Sequence, residues 1–166
     1  VSEPHPLEQA QVHGLPRHVV GVAGAVLDEQ ARVLVVQRRE PRRWELPGGA
    51  LELGERLADG VVREVQEETG LHVEPLALTG VYQNMRLGPV ALTFACRRVG
   101  GSERVTEETS AWRWVGRAQL GDLMPPARAL RALDALDALA AAGGRLDALR
   151  GTGLPLRVHD GTELLP

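Results

Sequence analysis

Apolar and polar positions alternate in blocks along the chain, and the length and period of each block predict an element. Val19 to Leu27 is a continuous apolar run that suits a buried strand. Asp28-Glu29-Gln30 breaks it as a turn, and Arg32 to Arg39 reads as a second strand. Through "EPRRWELPGG", Pro41, Pro47, Gly48 and Gly49 interrupt any period, so this stretch is a loop. A helical period follows from about Glu55 to Thr69, and Gly70 is a good residue to end it. Leu76 to Tyr82 and Val90 to Val99 are further strands, separated by a Gly88-Pro89 turn. A polar loop from Gly100 to Ser110 precedes a short strand, "WRWV", at Trp112 to Val115. Pro125 and Pro126 open a second long helix ending near Gly143-Gly144. Its leucines 130, 133, 136 and 139 are expected to form one apolar stripe packed on the domain. Residues 1–16, with Pro4, Pro6, Gly14 and Pro16, read as a loose arm, and "LPLRVHDGTELL" as a small hairpin around Asp160-Gly161. Strands and two well-separated helices in one chain predict an α/β fold, a mixed sheet covered on both faces.

Composition narrows the chemistry. At 166 residues the chain suits a single domain with a core of its own. The lone Cys96 excludes an internal disulfide and a multi-cysteine zinc site, and its place in a predicted strand makes it a core residue. The five histidines show no metal-ligand spacing. No apolar run approaches the roughly 20 residues of a membrane span, and no signal-like segment opens the chain, so a cytoplasmic protein is expected. A net charge of −3 argues against a nucleic-acid partner. All 19 basic residues are arginine. Lysine Schiff-base chemistry is therefore excluded, and a phosphate held by a cationic side chain is held by arginine.

The segment from Trp44 to Leu71 carries six glutamates. On its helix Leu57, Val61 and Val65 form an apolar stripe, widened by Ala58 and Val62, while Glu64, Glu67 and Glu68 form an acidic stripe along its edge. Like charges three and four apart repel, so a cation is expected among them. Hard oxygen ligands suit Mg²⁺, with Mn²⁺ as a substitute, and the Pro-Gly-Gly turn lets backbone oxygens approach the same ion.

Gly49, five residues, Glu55, seven residues and then "REVQEETGL" match the complete Nudix box. By this resemblance the chain is identified as a member of the Nudix (MutT-like) hydrolase family. The resemblance implies a Nudix-type α/β/α sandwich with a mixed β-sheet, plus a C-terminal helix and small hairpin. It implies an arm over 1–16, the hydrolase domain over 17–124, and a helical and hairpin extension over 125–166 packed on the same domain. It implies Mg²⁺-dependent hydrolysis of a nucleoside diphosphate linked to another group. Glu67 and Glu68 would be the main metal ligands, the Gly48 carbonyl an additional one, and Glu64 a third ligand or the base that deprotonates water. Arg63 would orient the glutamates, and Glu55 would support the loop–helix junction. The chemistry agrees: a diphosphate repels a nucleophile until metal ions neutralise it and acidify the attacking water.

For substrate binding, the resemblance points to Arg38, at the end of the second strand, as a phosphate clamp. Glu108, with Glu107, resembles the loop residues that some relatives use as a further ligand or base. Tyr82 is the expected aromatic contact. Downstream of the box, Arg86, Leu87 and Gly88 occupy the positions where a proline would favour ADP-ribose and a tyrosine diadenosine polyphosphates. The expectation is thus a nucleoside triphosphate, split to monophosphate and pyrophosphate. The alternatives are an ADP-ribose, other dinucleotide or nucleotide-sugar pyrophosphatase, and, from another class, a non-catalytic nucleotide-sensing module. The partner is a small-molecule nucleotide, with no membrane, in a monomer or homodimer.

Overall fold

The computed structural model describes residues 18–154. The arm expected over 1–16 and the hairpin around Asp160-Gly161 lie outside them. The strands are β1 (Val20–Leu27), β2 (Val33–Arg38), β3 (Trp44–Glu45), β4 (Gly48–Ala50), β5 (Leu71–Gln83), β6 (Val90–Gly101) and β7 (Thr109–Val115). The helices are α1 (Leu57–Thr69), α2 (Arg117–Leu123) and α3 (Pro126–Ala141), followed by a 3₁₀ turn at Leu146–Leu149. One mixed sheet contains all seven strands; β1 and β6 run parallel and every other pair is antiparallel.

β1 is the keel of the fold. One edge pairs with β6 along its whole length, from Val20↔Val90 to Leu27↔Arg97. The other meets β2 at Leu27↔Val33 and β4 at Gly21↔Ala50 through Ala23↔Gly48. β1 and β2 therefore part beyond their turn, and β4 and β3 fill the split. This is why the Pro-Gly-Gly turn sits inside the sheet rather than on a surface loop. Both faces of β1 are covered, as its unbroken apolar run requires. Val22 and Val26 pack with Val61 and Val65 of α1, Phe94 and Cys96; Ala23, Ala25 and Leu27 pack with α2 and α3. Cys96 is fully buried in this core.

Helix α1 begins at Leu57, two residues later than expected, and ends as expected, with Gly70 at φ 79° donating its N–H to the Gln66 carbonyl. Strand β5 starts at Leu71 rather than Leu76. Pro75 and three register shifts break its alternation, and its edge position tolerates the proline. β3, β4 and α2 are further additions. The leucine stripe on α3 is corrected: Ala129, Ala132, Ala135, Leu136 and Leu139 are buried, while Leu130 is 48% exposed. A three-residue step falls about 60° short of a full turn, so Leu130 and Leu139 end on opposite sides of the helix.

Candidate active site

Two arginines organise the carboxylates that α1 presents. Arg63 stands one turn before Glu67, beside Glu64 and within reach of the loop that leads into the helix. Its Nε and Nη2 donate to the two Glu55 oxygens at 2.8 and 3.0 Å. Its Nη1 donates to Glu64 Oε1 at 2.8 Å and Glu67 Oε2 at 3.2 Å, and Nη2 also reaches the Ala50 carbonyl at 3.2 Å. A planar fork with five N–H groups meets this geometry; an ammonium cannot. The Arg63 bond holds the Glu55 carboxyl below its ordinary value.

Arg38, at the end of β2, serves the other side of the acidic stripe. Its guanidinium donates to Glu68 and, at 2.7 Å, to Glu108 Oε2, while Nε lies 3.0 Å from Glu45 Oε1. The loop carrying Glu108 is tied to β2: Arg39 N–H donates to the Glu108 carbonyl at 2.9 Å and Arg39 Nη2 to the Thr106 carbonyl at 2.8 Å. Burial works against the charge on Arg38, yet Glu68, Glu108 and Glu45 hold its pKa above the ordinary value.

Glu68 is the most enclosed of the box carboxylates, 1% exposed. Besides Arg38 it accepts the Gly48 amide at 3.0 Å, and its own carbonyl accepts the buried Thr109 hydroxyl at 2.8 Å. Burial pushes its pKa up to about 7, against the pull of the Gly48 amide and Arg38. Glu64 is also buried and raised above the ordinary value by desolvation, with Arg63 opposing. Glu67 reaches solvent. The Pro-Gly-Gly turn has a steric reason to be glycine: a Cβ on Gly49 would stand 2.5 and 2.6 Å from the Glu64 oxygens. The backbone here touches the carboxylate directly.

The structure thus gathers Arg38, Gly48, Arg63, Glu64, Glu67, Glu68 and Glu108 around one turn. Among the described residues, however, no group of three or more acidic, histidine or cysteine side chains is arranged to hold a metal ion. The two guanidiniums occupy the carboxylates instead. The donor set itself, carboxylate and backbone oxygens with a nearly dry Glu68, fits a hard divalent ion.

Beside the turn lies a cleft of about 310 Å³, at the small end of ligand-pocket sizes. Its floor is β1 and Ala91, and Arg38, Arg43, Arg128 and Arg131 line it. Glu45 ties three of these together, at 3.0 Å to Arg38, 3.2 Å to Arg43 and 3.3 Å to Arg128. Tyr82, expected as a substrate contact, has another post. Its hydroxyl donates to Asp134 on α3 at 2.7 Å, and Arg131, not Tyr82, lines the cleft. Glu45, Arg128 and Arg131 are absent from the sequence reading. The available signal was the pair of arginines at i, i+3 on α3, with Asp134 three residues on.

The fold and this cluster can be set beside known proteins. A model of the NUDIX domain matches residues 17–137. A MutT-like protein of Streptomyces ambofaciens is 44% identical over 151 residues, covering 91% of this chain and 90% of the relative. A putative 8-oxo-dGTP diphosphatase of Bacillus subtilis (strain 168) is 35% identical over 104 residues, 62% of this chain and 70% of that one. The crystal structure of an ADP-ribose pyrophosphatase from Streptococcus suis 89-1591 superimposes with a TM-score of 0.61 at 27% identity, over 74% of this chain and 92% of that one. With a domain match across the sheet and its helices, and a relative that is similar over nine-tenths of both chains, this chain belongs to the Nudix hydrolase family.

Proposed function

We propose that the protein hydrolyses a nucleoside triphosphate to the monophosphate and pyrophosphate, in a reaction that depends on Mg²⁺. One observation carries this reading: a nearly dry carboxylate, Glu68, meets the Gly48 amide and a cationic side chain beside an arginine-lined cleft. A buried charge of that kind is stable only with a cation against it, and a divalent ion is the stronger partner. Glu67, Glu68 and the Gly48 carbonyl would hold the ion. When bound, it would neutralise phosphate charge and acidify the attacking water.

The chain's own residues supply the rest. Arg63 fixes Glu55, Glu64 and Glu67 in one plane of hydrogen bonds, so these side chains need not reorganise during the reaction. Glu64, whose burial raises its affinity for a proton, takes the proton of the attacking water; such a base contributes about 10²–10⁴-fold. Water adds its oxygen to phosphorus, the bridging phosphorus–oxygen bond breaks, and pyrophosphate leaves. A cation held at Glu68 would compete with Arg38 for that carboxylate, and Arg38, which lines the cleft, would then offer its fork to a phosphate. The Bacillus subtilis relative, by its name a putative diphosphatase of a nucleoside triphosphate, supports this substrate class. A second reading, cleavage of ADP-ribose, is favoured by the Streptococcus suis structure and rests on fold likeness at 27% identity.

A panel of the common and oxidised nucleoside triphosphates, ADP-ribose, NADH, nucleotide sugars and diadenosine polyphosphates, assayed with Mg²⁺ and with Mn²⁺, tests the proposal. Triphosphates should yield monophosphate and pyrophosphate in equal amounts. Preferred release of AMP and ribose phosphate from ADP-ribose would select the second reading. Nucleotide binding without turnover of any compound would contradict both.

A further inference from the structure

The charged side chains that line the cleft are four arginines and one glutamate. Glu45 meets three of the arginines at the same atom. Its Oε1 faces Arg38 Nε, and its Oε2 holds Arg43 Nε and Arg128 Nε side by side, at 3.2 and 3.3 Å. Among the described residues Glu45 is the one carboxylate that Arg43 and Arg128 meet, and no hydrogen bond to these residues occupies their Nη groups. Arg38 differs, because its Nη1 is taken by Glu68 and Glu108.

Arg128 is costly where it stands. It lies in the first turn of α3, where the helix dipole disfavours a cation and no acidic residue of that turn offsets it. One carboxylate shared by three guanidiniums leaves the cleft short of negative charge. Burial, and after it the charge of Arg128, pulls the Arg131 pKa below its ordinary value.

The place of these forks selects the anion. Arg38 spans from Glu45 to Glu68, so one guanidinium separates the acidic stripe of α1 from Arg43 and Arg128. A phosphate chain that starts at an ion on Glu68 would pass Arg38 and end at the other two. Guanidinium forks take phosphate oxygens two at a time. A shorter chain would leave Arg43 and Arg128 without a ligand.

We propose that Arg43 and Arg128 form a second phosphate seat, for the terminal phosphate of the substrate, and so set a preference for triphosphates over diphosphates. This rests on the nucleotide reading above and adds the residues that count the phosphates. Calorimetric titration with inorganic pyrophosphate and with orthophosphate, without divalent ions, tests the seat apart from catalysis. Wild-type protein should bind pyrophosphate at least about tenfold more tightly than orthophosphate. Arg43→Gln and Arg128→Gln should each weaken pyrophosphate about tenfold, the low end of a hydrogen bond to a charged group. Arg128→Lys keeps the charge, lacks the fork and should still lose most of that affinity. Arg117→Gln removes an exposed cation paired with Asp137, outside the cleft lining, and should change nothing. In hydrolysis assays with Mg²⁺, Arg128→Gln should raise KM for the triphosphate about tenfold, with kcat and the inhibition constant of the matching diphosphate unchanged. Pyrophosphate bound no more tightly than orthophosphate by wild type would overturn the assignment. So would an equal loss in Arg117→Gln, which would mark net charge rather than a seat. Triphosphate and diphosphate weakened alike by Arg128→Gln would sink this inference alone; absence of all turnover in the wider panel would sink the nucleotide reading as well.

Discussion

Arg38→Met removes the cation that Glu68 faces, and the structure sets the size of the effect. Glu68 would keep the Gly48 amide and lose its guanidinium partner. In the wild type its pKa is already about 7, against an ordinary value of 4.5. A folded-state value above the unfolded one means that the folded protein binds the proton more tightly. The contribution of Glu68 is therefore fully present below 4.5 and is lost as pH rises through about 7, a swing of roughly 3 kcal/mol. Without Arg38 the value climbs further, and at pH above it each additional unit costs about 1.4 kcal/mol. Breaking a buried pair by removing one partner typically costs about 3–5 kcal/mol. We expect the variant to be destabilised by about 2–4 kcal/mol at pH 8.5 and by about 1 kcal/mol at pH 5.5, where both proteins carry a protonated Glu68. Urea unfolding of the metal-free proteins at the two pH values measures this, and added Mg²⁺ should recover stability in the variant at the higher pH. An equal loss at both pH values would refute the idea that Arg38 offsets a charge on Glu68.

Three further outcomes follow from the same geometry. Gly49→Ala places a methyl group against the Glu64 carboxylate and should cost about 1–3 kcal/mol, by thermal unfolding, together with a fall in kcat. Arg63→Lys cannot span Glu55, Glu64 and Glu67 at once, so steady-state kinetics should show a large loss in kcat with little change in KM. Because Glu68 must lose its proton to accept a metal ion, Mn²⁺ affinity should fall steeply below about pH 7, which titrations at several pH values will show.

The parts of this site that were legible in the sequence are those set by local spacing. A helix places Glu64, Glu67 and Glu68 on one edge whatever surrounds it, and Gly70 ends that helix by a backbone need that glycine alone meets cheaply. The two faces of β1 were legible as an unbroken apolar run. On α3 burial follows angle rather than residue type: the small alanines at 129, 132 and 135 are buried, and Leu130 points outward. Glu45 and Arg131 were illegible for another reason. Glu45 gains its role only when β1 and β2 part and β3 fills the gap, and Arg131 only when α3 crosses the start of β1. Tyr82 was expected to meet substrate; its hydroxyl meets Asp134, a partner 52 residues away that no local spacing reveals.

On the proposed reading the carboxylates of α1 take a divalent ion where the Arg38 guanidinium now meets Glu68, with Arg63 holding Glu64 and Glu67 in place. Counting bound Mn²⁺ by electron paramagnetic resonance, with turnover recorded on the same samples, tests it most directly in wild type, Glu67→Gln and Glu68→Gln. The account predicts tight Mn²⁺ binding and hydrolysis in wild type, and loss of both in the two variants while they remain folded. Undiminished Mn²⁺ binding and turnover in both variants would contradict it.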